Sequence, residues 1–460
     1  MDQNREHWGS RIGFILAAAG SAIGLGNIWK FPYIAGENGG AAFIFVYLIC
    51  IAIIGLPVLI AEVLIGRTTQ RNPVGAFKIL SNSKIWTSVG AMGVIAGFLI
   101  LSFYAVVAGW SAGYIIEAMR GAFYDFPTPQ ASQEHFGSLV SNVYWILGFH
   151  ILFMIITAFI VYSGIKKGIE RGSKILMPLL FVLLIALTVK GLTLDGADKG
   201  IAFLFDPDWS KVNGYTILVA LGHAFFTLSL GMGAMMTYGS YMSKNDSIPA
   251  ATLQIVILDT VIALLAGIAI FTSVFSTGLD PAAGPGLIFQ TLPVVFTKMP
   301  AGFIFSILFF ALLTIAALTS SISLLEVIVA YFVDERGWKR HKAVIVFGIV
   351  AFAVGVPSAL SFNLTSEVHL FGLNFFDLVD FIASNILLPL GGLLISIFAA
   401  WIWGFDKVLA NLKNGAEKLF EKSYWQIQVW KFLLRYISPV LIFLVLLQSL
   451  GILTKILEWF

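Results

Sequence analysis

Long apolar runs alternate with short polar breaks along almost the whole chain. About 20 apolar residues suffice for a helix to cross the hydrocarbon of a bilayer. The pattern therefore predicts eleven spans, near 11–35, 41–65, 86–118, 141–163, 168–189, 213–242, 251–276, 300–333, 342–361, 376–403 and 430–454. The breaks at 120–140, 190–212 and 277–299 are polar and rich in Pro, Gly and Asp, and are expected to lie outside the cell, where they could cap a vestibule.

Two of the spans are interrupted at their centres. The first carries Ser21-Ala22-Ile23-Gly24-Leu25-Gly26-Asn27, followed by Pro32. Glycines lower helix propensity and let the backbone open. Small residues also serve close helix packing, so one Gly-x-Gly alone favours that plainer use. The sixth span repeats the pattern: Phe225-Phe226-Thr227-Leu228-Ser229-Leu230-Gly231-Met232-Gly233. An opened backbone at membrane depth is tolerated only where it is buried in protein or lines a cavity. Interrupted spans at matching positions of two halves point to a transporter's central site. Spans one to five and six to ten form equal sets. Five is odd, so the sets run in opposite topology, with one repeat near 11–189, the other near 213–403 and an added span near 430–454, all in a single transmembrane domain.

The composition fits a polytopic membrane protein: 58% hydrophobic, 12% charged, mean hydropathy +0.91. A soluble domain carries about twice that share of charge. The 40 Phe and 12 Trp suit lipid-facing and interfacial positions. The one cysteine, Cys50, rules out an internal disulfide framework and reads as a small apolar residue in a span. The six histidines lack ligand spacing. No small-residue cleavage site precedes the first span, so no removed signal peptide is expected. The net charge of +3 says little, but its distribution says more: with the N-terminus inside, inner segments hold 21 of the 28 Lys and Arg residues. This bias predicts a cytoplasmic N-terminus and, after eleven spans, an extracellular C-terminus.

Further motifs carry a resemblance. Trp8-Gly-Ser-Arg11, Gly20-Ser-Ala-Ile-Gly-Leu-Gly-Asn27, Phe31-Pro32, Glu37-Asn38-Gly39-Gly40, Phe226-Thr227-Leu228-Ser229-Leu230-Gly231, Leu318-Thr319-Ser320-Ser321 and Gly168…Pro178 resemble the neurotransmitter:sodium symporter family, in particular its bacterial amino-acid transporters. The resemblance runs through nearly the whole chain. It implies an all-α membrane protein of the LeuT-type fold, not an enzyme, with helices one and six unwound at mid-membrane. It also implies symport of an amino acid with sodium.

A zwitterionic amino acid needs donors for its carboxylate and acceptors for its ammonium. N–H groups at a helix break suit a carboxylate. Leu25 and Gly26 would supply them, with the Tyr104 hydroxyl; Ala22, Phe226, Thr227 and Ser229 would take the ammonium. By resemblance, substrate also meets Ser21, Gly24 and Ser320, and its side chain meets Ile100, Phe226, Met232 and Leu324. Met232 departs from a bacterial relative that carries phenylalanine there. The resemblance implies a first sodium at Ala22, Asn27, Thr227 and Asp259, and a second at Gly20, Ile23, Ala316, Thr319 and Ser320. Hydroxyls such as Thr319 and Ser320 otherwise bond back to their own helix. Family members that require chloride carry Asn where this chain has Asp259, so no chloride requirement is expected.

Acidic residues inside spans are functional candidates. Glu62 fits that role and equally a structural one, bonding the opened backbone of span six. Glu326 reads as a hydrogen-bonded packing residue. Lys30 with Asp380, over Tyr104 and Phe226, is expected to close the outer side, although solvated flanking charges read as well for Lys30. Arg5 with Asp334, beside Trp8, Ser240 and Tyr241, is expected to close the inner side. Lys stands at the outer position where the family usually has Arg, and makes a point-charge contact rather than a planar fork. Gly168 and Pro178 read either as an ordinary helix start or as a segment of span five that unwinds. The expected partners are a neutral hydrophobic amino acid, sodium and the lipid bilayer, with no nucleic acid. A proton-coupled or uncoupled carrier, a channel and a membrane sensor are the other classes; a channel requires a continuous polar stripe, whereas polarity here gathers at the two breaks.

Overall fold

The structure is a computed structural model and describes residues 6–126, 128–281, 284–422 and 424–453. Those residues are almost entirely helical, with one isolated bridge between Leu370 and Leu373. Among them, nine helices are long and apolar enough to cross a membrane. In chain order, α1 (Arg11–Ala22) and α2 (Gly26–Glu37) are two halves of one bent pair. They are followed by α3 (Ala41–Thr69), α4 (Lys84–Met119), α5 (Val143–Tyr162) and α6 (Ile165–Leu192). Next come α7 (Gly214–Thr227) and α8 (Ala234–Gly239). The rest are α9 (Ile248–Ser276), α10 (Gly302–Arg336), α11 (Arg340–Leu360), α12 (Phe375–Ile402) and α13 (Tyr424–Ser449).

Both expected interruptions are present. α1 and α2 meet at 47°. The cause is local: Ile23 leaves the helical region with φ −78° and ψ 100°. α7 has only 14 residues, about 21 Å of helix, and cannot cross alone. It begins with a reciprocal cap between Asn213 and Thr216 and ends at Thr227. Between α7 and α8 the chain turns through positive φ at Ser229, Gly231 and Gly233. Gly231 has a second reason to be glycine, since a Cβ there would lie 2.3 Å from the Leu388 carbonyl oxygen.

Burial sorts the helices into a core and a rim. The most apolar stretch of α4 is 72% buried inside the protein, that of α13 only 28%. α4 and α10, packed side by side, form a central pair against which the two breaks sit. Cys50 is buried in α3. The polar breaks expected to be loops contain helices of their own, Pro129–Ser141, Ala197–Phe205 and Leu292–Lys298. They are short, and a nine-residue segment such as Ala197–Phe205 is stable only through packing.

Candidate functional site

The two breaks face each other across a small cavity. Its wall comprises Ser21, Ala22, Gly24, Gly26, Ile100, Tyr104, Phe226, Ser229, Met232, Ser320, Ser323 and Leu324. Of the residues expected to meet substrate, Leu25 and Thr227 stand outside this wall. The Leu25 N–H donates to the Tyr104 hydroxyl at 3.0 Å, and Leu25 lines the neighbouring outer cavity. Thr227 turns instead to Asp259.

The breaks are tied together by polar contacts. The Ser229 hydroxyl donates to the Ser21 carbonyl at 2.8 Å. The Ser320 hydroxyl reaches the same carbonyl at 3.1 Å and that of Gly20 at 3.4 Å. Thr319 donates to the Ala316 carbonyl at 2.9 Å and lies 3.4 Å from that of Ile23. These hydroxyls therefore bond back to their own helix and also face the opened end of α1. Hydroxyl and carbonyl oxygens are the donor type that a hard cation takes.

Beside the cavity, Asp259 is fully buried. It accepts from the Asn27 amide at 2.8 Å and from the Thr227 hydroxyl at 3.1 and 3.3 Å. A buried carboxylate is costly unless it is paired or hydrogen-bonded. Here two uncharged donors hold it, and an added cation would complete the pairing.

Glu62 takes the structural part expected as one of its two uses. It is buried and accepts the N–H of Gly231 at 2.7 Å, which satisfies one donor freed by the break between α7 and α8. Glu326 is more than a packing residue. It is fully buried, accepts from the Tyr241 hydroxyl at 2.7 Å, and pairs through both carboxylate oxygens with the guanidinium of Arg340.

Lys30, Asp380, Tyr104 and Phe226, expected at the outer gate, line one cavity. The expected Lys30–Asp380 partners have each taken another contact: the ammonium stands 4.4 Å over the Phe226 ring, and Asp380 accepts from Ser384 at 2.6 Å. A compact ammonium on a flexible stem can use the ring face where a guanidinium fork would favour the carboxylate. Trp8, expected beside the inner gate, packs against the end of α8. Its ring N–H donates to the Tyr238 carbonyl at 2.9 Å, and its edge meets the rings of Tyr238 and Tyr241. Ser240 donates to the Thr237 carbonyl at 2.6 Å, within its own turn. Asp334 accepts from the backbone and side chain of Asn72 at 2.9 and 3.2 Å. Arg5, the expected partner of Asp334, lies outside the described residues. Gly168 falls in a π-helical turn, Ile165–Glu170, and Pro178 inside the α-helix that follows, so this segment is wound.

Two functional candidates escaped the sequence. Ser323 lines the cavity and shares a 2.6 Å hydrogen bond with Ser21. Its spacing of three from Ser320 puts it on the same helix face, which is the signal that could have found it. Arg340 had no such signal.

Two interrupted helices whose breaks meet around a cavity of backbone, hydroxyl and apolar groups define a membrane transporter of the broken-helix type. A model of the sodium:neurotransmitter symporter family matches residues 5–127 and 131–457. The chain belongs to that family of sodium-coupled transporters. It is 43% identical to the sodium-dependent transporter YhdH of Bacillus subtilis, over 98% of this chain and 99% of the relative. It is 36% identical to a sodium-dependent transporter of Haemophilus influenzae, with the same coverage of each chain. The crystal structure of MhsT in complex with L-phenylalanine superposes with a TM-score of 0.89 at 50% identity, over 97% of this chain and all of that one. The fold is therefore the LeuT-type fold of that family.

Proposed function

We propose that this protein is a sodium-coupled symporter that imports neutral hydrophobic L-amino acids, aliphatic and aromatic, by alternating access. The observation that carries the proposal is the two-ended cavity. One end is backbone and hydroxyl groups at the breaks; the other is Ile100, Met232 and Leu324. The solved complex of MhsT with L-phenylalanine supports the same substrate class. In this mechanism the substrate carboxylate displaces the Tyr104–Leu25 contact and takes both donors, with Gly26 beside them. The ammonium meets the carbonyls of Ala22 and Phe226 and the segment of Thr227 and Ser229. One sodium binds at Ala22, Asn27, Thr227 and Asp259, a second at Gly20, Ile23, Ala316, Thr319 and Ser320. The ion at Asp259 neutralises a buried charge and so favours closure of the two breaks around the substrate.

Lys30 and Asp380, with Tyr104 and Phe226, form the outer gate; Trp8, Ser240, Tyr241, Asp334 and Arg5 form the inner one; Gly168 and Pro178 let α6 unwind between cycles. The N-terminus faces the cytoplasm across the cell membrane and the C-terminus faces out, on the bias of Lys and Arg. Residues 11–189 and 213–403 act as two inverted repeats. Sodium-gradient uptake into proteoliposomes, assayed with all twenty amino acids, tests the proposal. Leucine, isoleucine, valine, methionine and the aromatic amino acids should accumulate against their gradients. Equilibration without accumulation would mean a uniporter, and no movement a sensor.

The fixed charge of Asp259 makes chloride dispensable in this mechanism. Uptake should be unchanged when gluconate replaces chloride, and Asp259→Asn should lower it at least tenfold. A strong chloride requirement in the unmutated protein would overturn the role given to Asp259.

Met232 sets the breadth of the pocket. Methionine is unbranched and adapts to ligands of different shape. Each buried methylene adds about 0.8 kcal/mol, so larger apolar substrates should bind tighter until they clash. No charged side chain lines this end, and a charged substrate would be buried there without a partner. Met232→Phe should therefore weaken tryptophan, tyrosine and phenylalanine relative to leucine in competition binding. A preference of the unmutated protein for glycine or a charged amino acid would sink this account.

A further inference from the structure

The cavity between the two breaks has a polar end and an apolar end, and α10 runs past both. At the polar end the Ser320 and Tyr104 hydroxyls crowd Gly24: a Cβ there would stand 2.3 Å from Ser320 Oγ and 2.6 Å from the Tyr104 oxygen. Here Tyr104 also meets the Leu25 N–H. Ser323 stands one turn further along α10, about 4.5 Å on, next to Leu324. It therefore belongs to the apolar end, and its 2.6 Å contact with Ser21 holds the Ser21 hydroxyl there as well.

The protons of this pair have one arrangement that satisfies both. A hydroxyl has one proton to give and two lone pairs to offer. The Ser323 hydroxyl donates to the Ser320 carbonyl at 2.8 Å. Among the described residues, Ser323 is the one hydrogen-bond partner of the Ser21 hydroxyl. Ser21 therefore donates to Ser323, and Ser323 to the carbonyl. The reverse order would leave the Ser21 proton without an acceptor. Ser21 is 2% exposed, and a stranded buried donor is costly. The Ser229 and Ser320 protons are committed too, both to the Ser21 carbonyl. What remains in the wall of the cavity is the Ser21 hydroxyl oxygen, with lone pairs that no described group fills.

We infer that the Ser21 oxygen, oriented by Ser323, accepts a hydrogen bond from the substrate's side chain, so that the pocket ranks tryptophan and tyrosine above apolar side chains of the same shape. Ser21 is a specificity-determining residue, and Ser323 is a positioning residue that fixes the direction of its proton. The inference rests on the amino-acid reading of the cavity and narrows it. Ile100, Met232 and Leu324 set the size of the side chain, and one acceptor separates ligands of equal size. Leucine and valine carry no donor and leave the oxygen unfilled, which ranks them lower without excluding them.

Thermal stabilisation of the purified full-length protein in sodium, titrated with matched ligands, tests it, since a ligand of the folded state stabilises according to its affinity. The pairs are tryptophan with benzothienylalanine, where sulfur replaces the N–H, and tyrosine with para-fluorophenylalanine, where fluorine replaces the hydroxyl. Ser21→Ala should lower the affinity ratio within each pair about three- to tenfold, the contribution of one neutral hydrogen bond. Comparing each ratio between wild type and variant cancels the difference in hydration within the pair. In Ser323→Ala the Ser21 proton should turn into the cavity. The tryptophan ratio should then fall more than the tyrosine ratio, because a phenol can accept whereas an indole N–H only donates. Both variants place alanine, the best helix former, inside a helix, so both should fold. Unmoved ratios in Ser21→Ala would overturn the inference. An equal loss for every ligand, leucine included, would place the hydroxyl at the ammonium and refute it as well. Unmoved ratios in Ser323→Ala would refute the orientation given to the pair. If neither leucine nor phenylalanine stabilises the wild type, the substrate reading fails and this inference with it; stabilisation by leucine with unmoved ratios overturns this inference alone.

Discussion

Replacing Thr319 and Ser320 together by alanine should weaken sodium binding on the order of a hundredfold while the protein stays folded. Each hydroxyl faces a carbonyl at the opened end of α1, Ile23 for Thr319 and Gly20 and Ser21 for Ser320. A hydrogen-bonding group that contacts a charge contributes about 1.5–3 kcal/mol, so losing two costs about 3 kcal/mol or more, which is roughly two decades in affinity. The fold should tolerate the change. Both residues are buried inside α10, where alanine is the best helix former and removes only small groups. Sodium binding measured by radioligand competition, with thermal stability in sodium-free buffer as the control, separates the two roles. If both hydroxyls serve only to bond back to the Ala316 carbonyl, sodium affinity will not move, and the second sodium site falls.

Arg340→Met should be among the most destabilising single changes in the chain, by about 3–5 kcal/mol, because it strands a buried charge. Glu326 is fully buried and keeps only the Tyr241 hydroxyl once the guanidinium is gone. Arg340 also donates to the Val161 carbonyl at 2.9 Å, which the Gly164 N–H reaches as well at 3.1 Å. Replacing both partners, Glu326→Met with Arg340→Met, should restore most of the lost stability, since apolar residues of similar volume need no desolvated partner. Thermal unfolding of the two single variants and the double one gives the coupling directly. Losses that simply add in the double variant would mean that the pair is not a unit. The position matters as well as the energy. Tyr241 also packs against Trp8, so this pair braces the proposed inner gate. The single change should therefore shift the protein towards inward opening, read as faster labelling of a cysteine placed beside Trp8.

The amino-acid sequence by itself determined the all-helical membrane class and where two helices break; of the eleven expected spans, the described residues hold nine helices, or ten with the bent pair, long and apolar enough to cross. Those properties are local. An apolar run long enough to span must bury its backbone in helix. Gly24, Gly26, Gly231 and Gly233 remove propensity at the point where the helix stops. The oxygen-rich stretch around Thr319 and the carboxylate of Asp259 were legible for a related reason, since a polar group inside a span is rarely idle. Tertiary packing alone decided which partner each polar side chain took. Glu326 meets Tyr241, 85 residues away, and Glu170 meets Gly9, 161 residues away. Lys30 turned to a phenylalanine ring rather than to Asp380. Thr227 bonds Asp259 beside the cavity rather than facing into it. Periodicity along one helix fixes which face a residue occupies, but not which helix lies opposite or at what height. Short-range contacts of about 3 Å between charged or hydroxyl groups depend on that height to within a fraction of a helical turn, and only the assembled bundle sets it.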